Sequence, residues 1–387
     1  MRNGKLPTLA NGWRWRKFGD CAQFINGRAY SQEELLNAGT PVLRIQNLNG
    51  GDRWYYSNLK LPDEKYCEAG DLLYAWSASF GPYRFAGPKS IFHYHIWRVI
   101  PGAELDKTFA FHLLEEITAG VKSAAHGVAM LHMTKGGIEA WPIPLPPLAE
   151  QRRIAEVLDR AEALRAKRSK ALAQLDSLTQ SLFLDLFGDH ATILQKWPTK
   201  KLGELLDFLT SGSRGWAEYY SESGDLFLRI QNVRRDELLL DDIAYVKAPD
   251  TAEAKRTRVQ AGDVLFSITA DLGRTAVVPD GIGPAFINQH LSILRTKALI
   301  PRFLSAYFAS PVGARQVSGR NKHAVKAGLN FDDIRSFVIP VPPISLQREF
   351  ARRVTAVEAL KMTQRTSLAE LDALFATLQH RAFRGEL

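Results

Sequence analysis

Cysteine is scarce in this chain: among 387 residues only Cys21 and Cys67 occur. Their spacing builds neither a disulfide framework nor a thiolate zinc site, and it fits a reducing cytoplasm. Long apolar runs are missing as well. No stretch approaches the roughly 18 residues needed to span a bilayer. The segment MRNGKLPTLANGWRWRKFGD has no apolar signal-peptide core. No membrane partner is therefore expected. Catalytic signatures are equally thin. There is no phosphate loop ending in Gly-Lys-Ser/Thr, no GxGxxG after a strand, no HExxH, and no metal-ligand spacing among the nine histidines. His93 and His95 alternate on an expected strand, which suits a surface or core role. Pro62-Asp63-Glu64-Lys65 has the residue types of a nuclease carboxylate cluster but the wrong spacing for a two-strand metal site. The Asn-Pro-Pro or Asp-Pro-Pro tetrapeptide of an amino-methyltransferase is absent. No catalytic or metal-binding residue is assigned.

What is present is positive charge and a soluble-protein composition. Lys and Arg number 50 against 41 Asp and Glu, a net of +9, with 45% hydrophobic and 24% charged residues. That balance favours an anionic partner, nucleic acid being the commonest. The length allows two to four domains.

An internal repeat organises the chain. GWRWRKFGD (12–20) matches KWPTKKLGE (196–204), LRIQNL (43–48) matches LRIQNV (228–233), and AGDLLYAWSASFG (69–81) matches AGDVLFSITADLG (261–273). KTFAFHLL (107–114) pairs with PRFLSAYF (301–308), PIPLPPLAEQR (142–152) with VIPVPPISLQR (338–348), and QLDSLTQSL (174–182) with ELDALFATL (370–378). The matches keep one order and cover nearly the whole chain, so one unit is duplicated.

Within each unit, LRIQNL, DLLYAW, HIWRVI, LFLRIQNV, DVLFSIT and LSILR read as strands bounded by turn signals, with shorter helices at 107–119 and 301–309. After each Pro-rich segment the character changes. Residues 148–187 and 344–383 contain neither Pro nor Gly, and forty residues would make a helix of about 60 Å. A heptad-like seam runs through Ile154, Val157, Ala161, Leu164, Ala171, Leu175, Leu178 and Leu182, and through Phe350, Val357, Leu360, Leu371, Leu374 and Leu378. Arg168 and Gln364 interrupt it at equivalent positions. The first helix carries 7 basic and 6 acidic residues, which suits helix pairing better than a membrane surface. The expected fold is α+β: two globular α/β domains separated by two long antiparallel helices that form an intramolecular coiled coil, with a pseudo-twofold repeat. The boundaries are 1–147, 148–187, 188–343 and 344–387.

The order of globular unit, PLPPLAEQRRIAEVLD, long helix, second globular unit, PVPPISLQREFARRV and second long helix resembles the specificity subunit of type I restriction-modification enzymes. The second junction departs slightly, with Leu346 where the first has Glu150. The resemblance implies that each globular unit is a target recognition domain reading one half of a bipartite site in double-stranded DNA. It implies that the helices set the half-site spacing and dock two methyltransferase subunits, with Glu150, Gln151, Arg152, Gln347 and Arg348 as candidate docking residues. S-adenosylmethionine would belong to the methyltransferase partner, ATP and magnesium to a restriction partner, and no cofactor to this chain. The chain itself would catalyse nothing.

The two units are each expected to read a different sequence, so residues common to both copies suit scaffold or phosphate roles. Each globular unit is net +3, from 16 basic and 13 acidic residues in 1–147 and from 20 and 17 in 188–343. Gly70-Asp71 and Gly262-Asp263 fit a turn entering a buried strand. Arg44 and Arg229 contact phosphate or pair internally. Gln46, Asn47, Gln231 and Asn232 hydrogen-bond adenine edges or hold a turn. Candidate base readers lie in polar loops that differ: Arg28, Tyr30, Ser77, Ser79, Tyr83 and Arg84 in the first unit, and Ser213, Arg214, Thr269, Asp271 and Arg274 in the second. Arg234, Arg235, Arg320, Lys322, His323 and Lys326 lie in basic segments suited to phosphate or a groove. The rival readings are a coiled-coil scaffold that binds no DNA, a nuclease with scattered carboxylates, and a specificity subunit of a methylation-only system.

Overall fold

The computed structural model describes residues 8–77, 79–124, 133–189, 192–320 and 328–387. The chain divides into two compact units: unit 1 is Met1–Ser169 with Thr366–Leu387, and unit 2 is Lys170–Arg365. Unit 1 contains β1 (Ala22–Asn26), β2 (Thr40–Leu43), β3 (Tyr55–Ser57), β4 (Tyr66–Cys67), β5 (Leu72–Ala75), β6 (Gly81–Arg84), β7 (Ser90–Phe92), β8 (Ile96–Pro101) and α1 (Lys107–Ala124). The long helix α2 (Leu148–Phe187) follows. Unit 2 contains β9 (Leu206–Ser211), β10 (Tyr220–Ser221), β11 (Asp225–Leu228), β12 (Ala244–Val246), β13 (Val264–Ser267), β14 (Thr275–Val277), β15 (Ala285–Ile287), β16 (Leu291–Thr296), α3 (Pro301–Ala309) and α4 (Pro311–Arg320). The second long helix is α5 (Ile344–Ala382).

Each unit builds the same pair of four-stranded sheets. Unit 1 has the orders β1-β8-β5-β6 and β3-β2-β7-β4; unit 2 has β9-β16-β13-β14 and β10-β12-β11-β15. A two-stranded ribbon closes each unit, Arg14–Lys17 with Pro142–Leu145 and Thr199–Lys201 with Val338–Pro340. The apolar runs explain the central strands. Leu72–Ala75 and Val264–Ser267 are buried on both faces, as expected of a strand covered on each side. LRIQNL and LRIQNV fold differently from expectation. The strand ends at Leu43 or Leu228, and Ile45–Leu48 and Ile230–Asn232 form helical turns. An asparagine in each explains the switch: Asn47 Oδ1 accepts the amide of Arg44 at 3.1 Å, and Asn232 Oδ1 that of Arg229 at 2.9 Å.

The turn into each central strand is wired identically. Gly70 and Gly262 adopt φ of 94° and 85°, which glycine supplies without strain. Asp71 then accepts the amide of Glu68 and pairs with Arg98 at 3.0 Å. Asp263 accepts the amide of Gln260 and pairs with Arg295 through two bonds of 2.7 and 2.8 Å.

The long helices pack antiparallel within each unit. In unit 1, Arg165 of α2 pairs with Asp372 of α5 at 2.6 Å. In unit 2, Asp176 pairs with Lys361 at 2.8 Å, and Phe350 packs on Phe183 and Phe187. The expected seam is only partly buried. Ile154, Ala161, Phe350 and Val357 are buried, whereas Leu164, Leu178, Leu360 and Leu374 are 39–53% exposed. The helix ends join the unit cores, through Ile154, Leu158 and Ala382 in unit 1 and through Phe183, Phe187 and Phe350 in unit 2. Among the described residues no helix is long and apolar enough to cross a membrane.

Candidate nucleic-acid interface

Three loops converge at one end of the main sheet in both units. In unit 1 they are the segment after β1, the β5–β6 loop and the β7–β8 turn. Arg28 bridges to His93, and the Trp76 amide donates to His95 O at 3.1 Å. In unit 2, Ser213 bridges to Asn288, and the Ile268 amide donates to His290 O at 3.0 Å. Gly27 and Gly212 make this approach possible. A Cβ there would lie 2.2 Å from His93 O and 2.0 Å from Asn288 O. His93–His95 thus form a bridge and turn rather than the expected strand.

The side chains on this common frame differ. Unit 1 presents aromatics. Trp76 meets His95 edge-on at 5.1 Å, Tyr94 is 40% exposed, and Tyr30 stacks on His93 at 6.4 Å. Burial pushes the His93 imidazole down to about 4, helped by His95 and Arg44, so it is neutral at pH 7. Burial likewise raises the Tyr30 hydroxyl. Unit 2 presents amide and hydroxyl groups. Thr269 Oγ1 is 2.6 Å from His290 Nδ1, and Gln289 Nε2 is 3.1 Å from His290 Nε2.

A fourth segment joins each cluster, the turn after β2 or β11. In unit 1, Asn49 donates to Ser79 Oγ at 2.6 Å and accepts from the Tyr83 hydroxyl at 3.0 Å. Gln46 and Asn47 hold that turn through Arg53 O at 2.9 and 3.0 Å. In unit 2, Asn232 is buried and donates to Leu239 O and Asp242 O. Gln231 and Arg229 also bond Asp242. Arg44 lies over the Tyr55 ring at 5.3 Å. These shared residues are engaged inside their own loops.

The remaining candidates divide. Arg28 pairs with Glu34 at 2.6 Å, and Ser77 is half-buried in the β5–β6 loop. Ser213 is buried beneath Trp216 Nε1, and Arg214 is exposed beside it. Arg274 pairs with Asp271 and reaches Val233 O. Arg235, Asp271, Arg274, Arg315 and Ser318 line a cleft of about 550 Å³. Arg234 and Arg320 are exposed. Lys322, His323 and Lys326 lie outside the described residues.

Arg84 is not in the cluster. Its guanidinium is 2.5 Å from Asp159 of α2, near His112, and over the Phe111 ring at 4.1 Å. His112, Asp159 and Glu162 are the one set of potential metal ligands close together among the described residues, and Arg84 already sits on its carboxylates.

The docking candidates also separate. Gln151 and Gln347 are buried, contrary to a surface role. Gln151 accepts from the Asp106 amide and donates to Pro146 O, each at 2.8 Å. Gln347 accepts from the Ile300 amide at 2.9 Å and donates to Pro342 O at 2.8 Å. Each glutamine staples a Pro-rich junction to the start of the neighbouring helical segment. Glu150 pairs with Arg153, which holds its carboxyl below the usual range. Arg152 and Arg348 are exposed.

Sequence reading missed Asn49, Trp76, Tyr94, Gln289, His290 and Arg315. The alignment of the repeat carried one usable signal: His95 and His290 occupy matching places after matching strands.

Two copies of one scaffold, each presenting a different loop cluster, define a duplicated recognition chain. The family model of the type I restriction modification DNA specificity domain matches it twice, over residues 10–175 and 195–373. The chain belongs to this family: it is a DNA specificity subunit of a type I restriction-modification system, and as such is non-catalytic. It is 23% identical over 423 residues to the specificity subunit of type I restriction enzyme EcoBI from Escherichia coli, covering 100% of this chain and 88% of that one. It is 24% identical over 436 residues to the EcoKI specificity subunit of Escherichia coli strain K12, covering 100% and 91%. A solved S subunit of a type I system from M. genitalium has the same fold, with TM-score 0.62 at 16% identity over 97% of this chain and 98% of that chain.

Proposed function

We propose that each unit reads one half of a bipartite site in double-stranded DNA, through target recognition domains at 1–147 and 188–343. The observation that carries this reading is the repeated loop cluster, identical in wiring and different in side chains. Aromatics and a neutral imidazole suit apolar contact with thymine methyls; Gln289 suits an adenine edge. Linking two readers in one chain makes the second binding event intramolecular and multiplies affinity.

The long helices fix the half-site spacing and dock two methyltransferase subunits, which a restriction subunit joins. Exposed Leu164, Leu178, Leu360, Leu374 and the 72% exposed Met362 favour a partner on the helices. Glu150, Arg152 and Arg348 are the surface residues at the junctions suited to that contact. S-adenosylmethionine is supplied by the methyltransferase, and ATP and magnesium act in the restriction subunit, all in the cytoplasm.

The test is a genome-wide map of adenine methylation in a host expressing the matching methyltransferase with and without this chain. A bipartite methylated motif that requires this chain is the expected result. Unchanged methylation with both chains co-purifying overturns the reading.

A further inference from the structure

The turn Arg234–Glu237 of unit 2 is held in a way that loop stability alone does not require. Asp236 has φ of 59°, a left-handed conformation rare outside glycine and adopted most readily by aspartate and asparagine among the rest. Among the described residues only Ala270 shares this feature outside glycine, with φ of 57°. Ala270 lines the cleft that also contains Arg235. One left-handed residue thus lines the cleft and the other adjoins Arg235 at its wall, as such backbone gathers at functional sites.

The Asp236 side chain is 10% exposed and faces Arg302 of α3 at 3.5 Å. Its Oδ1 has no hydrogen-bond partner. Arg302 in turn pairs with Glu358 of α5 at 2.8 Å. Burial pushes the Asp236 carboxyl up to about 6 despite the pull of Arg302. Its ionised form is therefore held at a cost in stability. The next residue, Glu237, pairs with Arg365 of α5 at 2.8 Å. Two carboxylates point back to the helices while Arg234 and Arg235 stand exposed. The Arg234 carbonyl also accepts the Thr275 amide at 3.1 Å. In unit 1 the matching turn reads Asn49-Gly50-Gly51-Asp52, without the arginine pair.

We propose that Asp236 and Glu237 are positioning residues that lock Arg234 and Arg235 for contact with the half-site read by unit 2, with α5 as the anchor. The proposal rests on the DNA-reading role of unit 2. A turn fixed beforehand loses less freedom on binding, which strengthens the contacts its arginines make.

Asp236→Asn is the direct test, because asparagine keeps the shape and tolerates the left-handed backbone while removing the charge. The full chain is used in complex with its methyltransferase subunits, on duplexes carrying the mapped motif and on duplexes altered in either half. Asp236→Asn is expected to leave the thermal midpoint at neutral pH unchanged or raised. Affinity should fall roughly tenfold, with weaker discrimination at unit 2's half-site only. Glu237→Gln, at a more exposed pair, should cost roughly threefold. The double variant Arg234→Ala/Arg235→Ala should flatten the salt dependence of binding, and adding Asp236→Asn to it should cause no further loss. Wild-type discrimination by Asp236→Asn, whatever its midpoint, overturns the latch, as does a loss fully additive to the double arginine variant. If the arginine variant binds like wild type, the turn lies off the DNA and the proposal falls with it. A wild-type complex indifferent to the duplex sinks the DNA reading itself.

Discussion

The turns after β2 and β11 begin with the same four residues, Arg-Ile-Gln-Asn, and end in different physics. In unit 1 the turn is tied by neutral hydrogen bonds, from Asn49 to Ser79 and Tyr83 of the β5–β6 hairpin. In unit 2 it is tied by charge, from Asp236 and Glu237 to Arg302 and Arg365. The residues common to both turns are engaged within the turn itself: Asn47 and Asn232 cap the helical turn, and the exposed Gln46 and Gln231 close the loop. The difference teaches where a duplicated reader diverges. Groups that hold the scaffold stay alike, and groups at the loop tips change.

The largest expected effect tests whether the shared wiring is equally important in both units. Asp263 is 1% exposed and held bidentately by Arg295, while the Asp71 side chain is 19% exposed. Asp263→Ala removes a buried carboxylate and leaves the half-buried Arg295 guanidinium and the Gln260 amide without their acceptor, and should cost about 3 kcal/mol. Asp71→Ala should cost about 1–3 kcal/mol. Chemical denaturation of each variant measures both, and equal losses would break the ranking.

Specificity sharpens the comparison next. Asn49→Ala should relax one half of the methylated motif and Gln289→Ala the other, each by about 1–3 kcal/mol of discrimination. Methylation mapping reads both. A symmetric relaxation by either variant would contradict two independent readers.

The smallest effect concerns acid. His93 titrates near 4 in the folded chain against 6.5 for the free group, so its contribution is present above 6.5 and is lost as pH falls toward 4. Asp236 titrates near 6 against 3.8, so its contribution is present below 3.8 and is lost as pH rises through 6. Acidification from pH 6.5 to 4.5 should therefore destabilise unit 1 through the β7–β8 turn and stabilise unit 2 as a whole by neutralising the buried Asp236 charge, even as the 234–237 turn loses its tie to Arg302. Hydrogen exchange of the core amides, corrected for intrinsic rates, reports each unit separately. Parallel changes in both would show that these groups do not set the acid response.

Much of the architecture was legible in the sequence. The long helices were readable because forty residues without Pro or Gly admit little else, and Leu148 and Ile344 begin where stiff Pro-Pro pairs end. The repeat was readable because Gly70-Asp71 and Gly262-Asp263 perform one backbone task twice. The helix seam was less so: Leu164 and Leu374 fit the heptad yet stand exposed, since periodicity gives a face but not the neighbour that covers it. Gln151 and Gln347 became docking candidates through the resemblance of the Pro-rich junctions, and a motif carries no burial. Their burial depends on backbone groups of Asp106 and Ile300, far away in the chain.

What the sequence determined by itself was therefore local: helix extent, strand burial, turn chemistry, and the order of elements that fixes the duplicated fold. What only the tertiary structure decided was which loops meet. Arg84 lies in the same β5–β6 hairpin as Ser79 and Tyr83 but is drawn to Asp159 on α2. Tyr94 and Gln289 join the loop cluster although their one mark in the chain is the matched histidine beside each, His95 and His290. Loop meeting is set by long-range backbone approach, such as Gly27 against His93 and Gly212 against Asn288. A one-dimensional pattern carries no distance between residues so far apart.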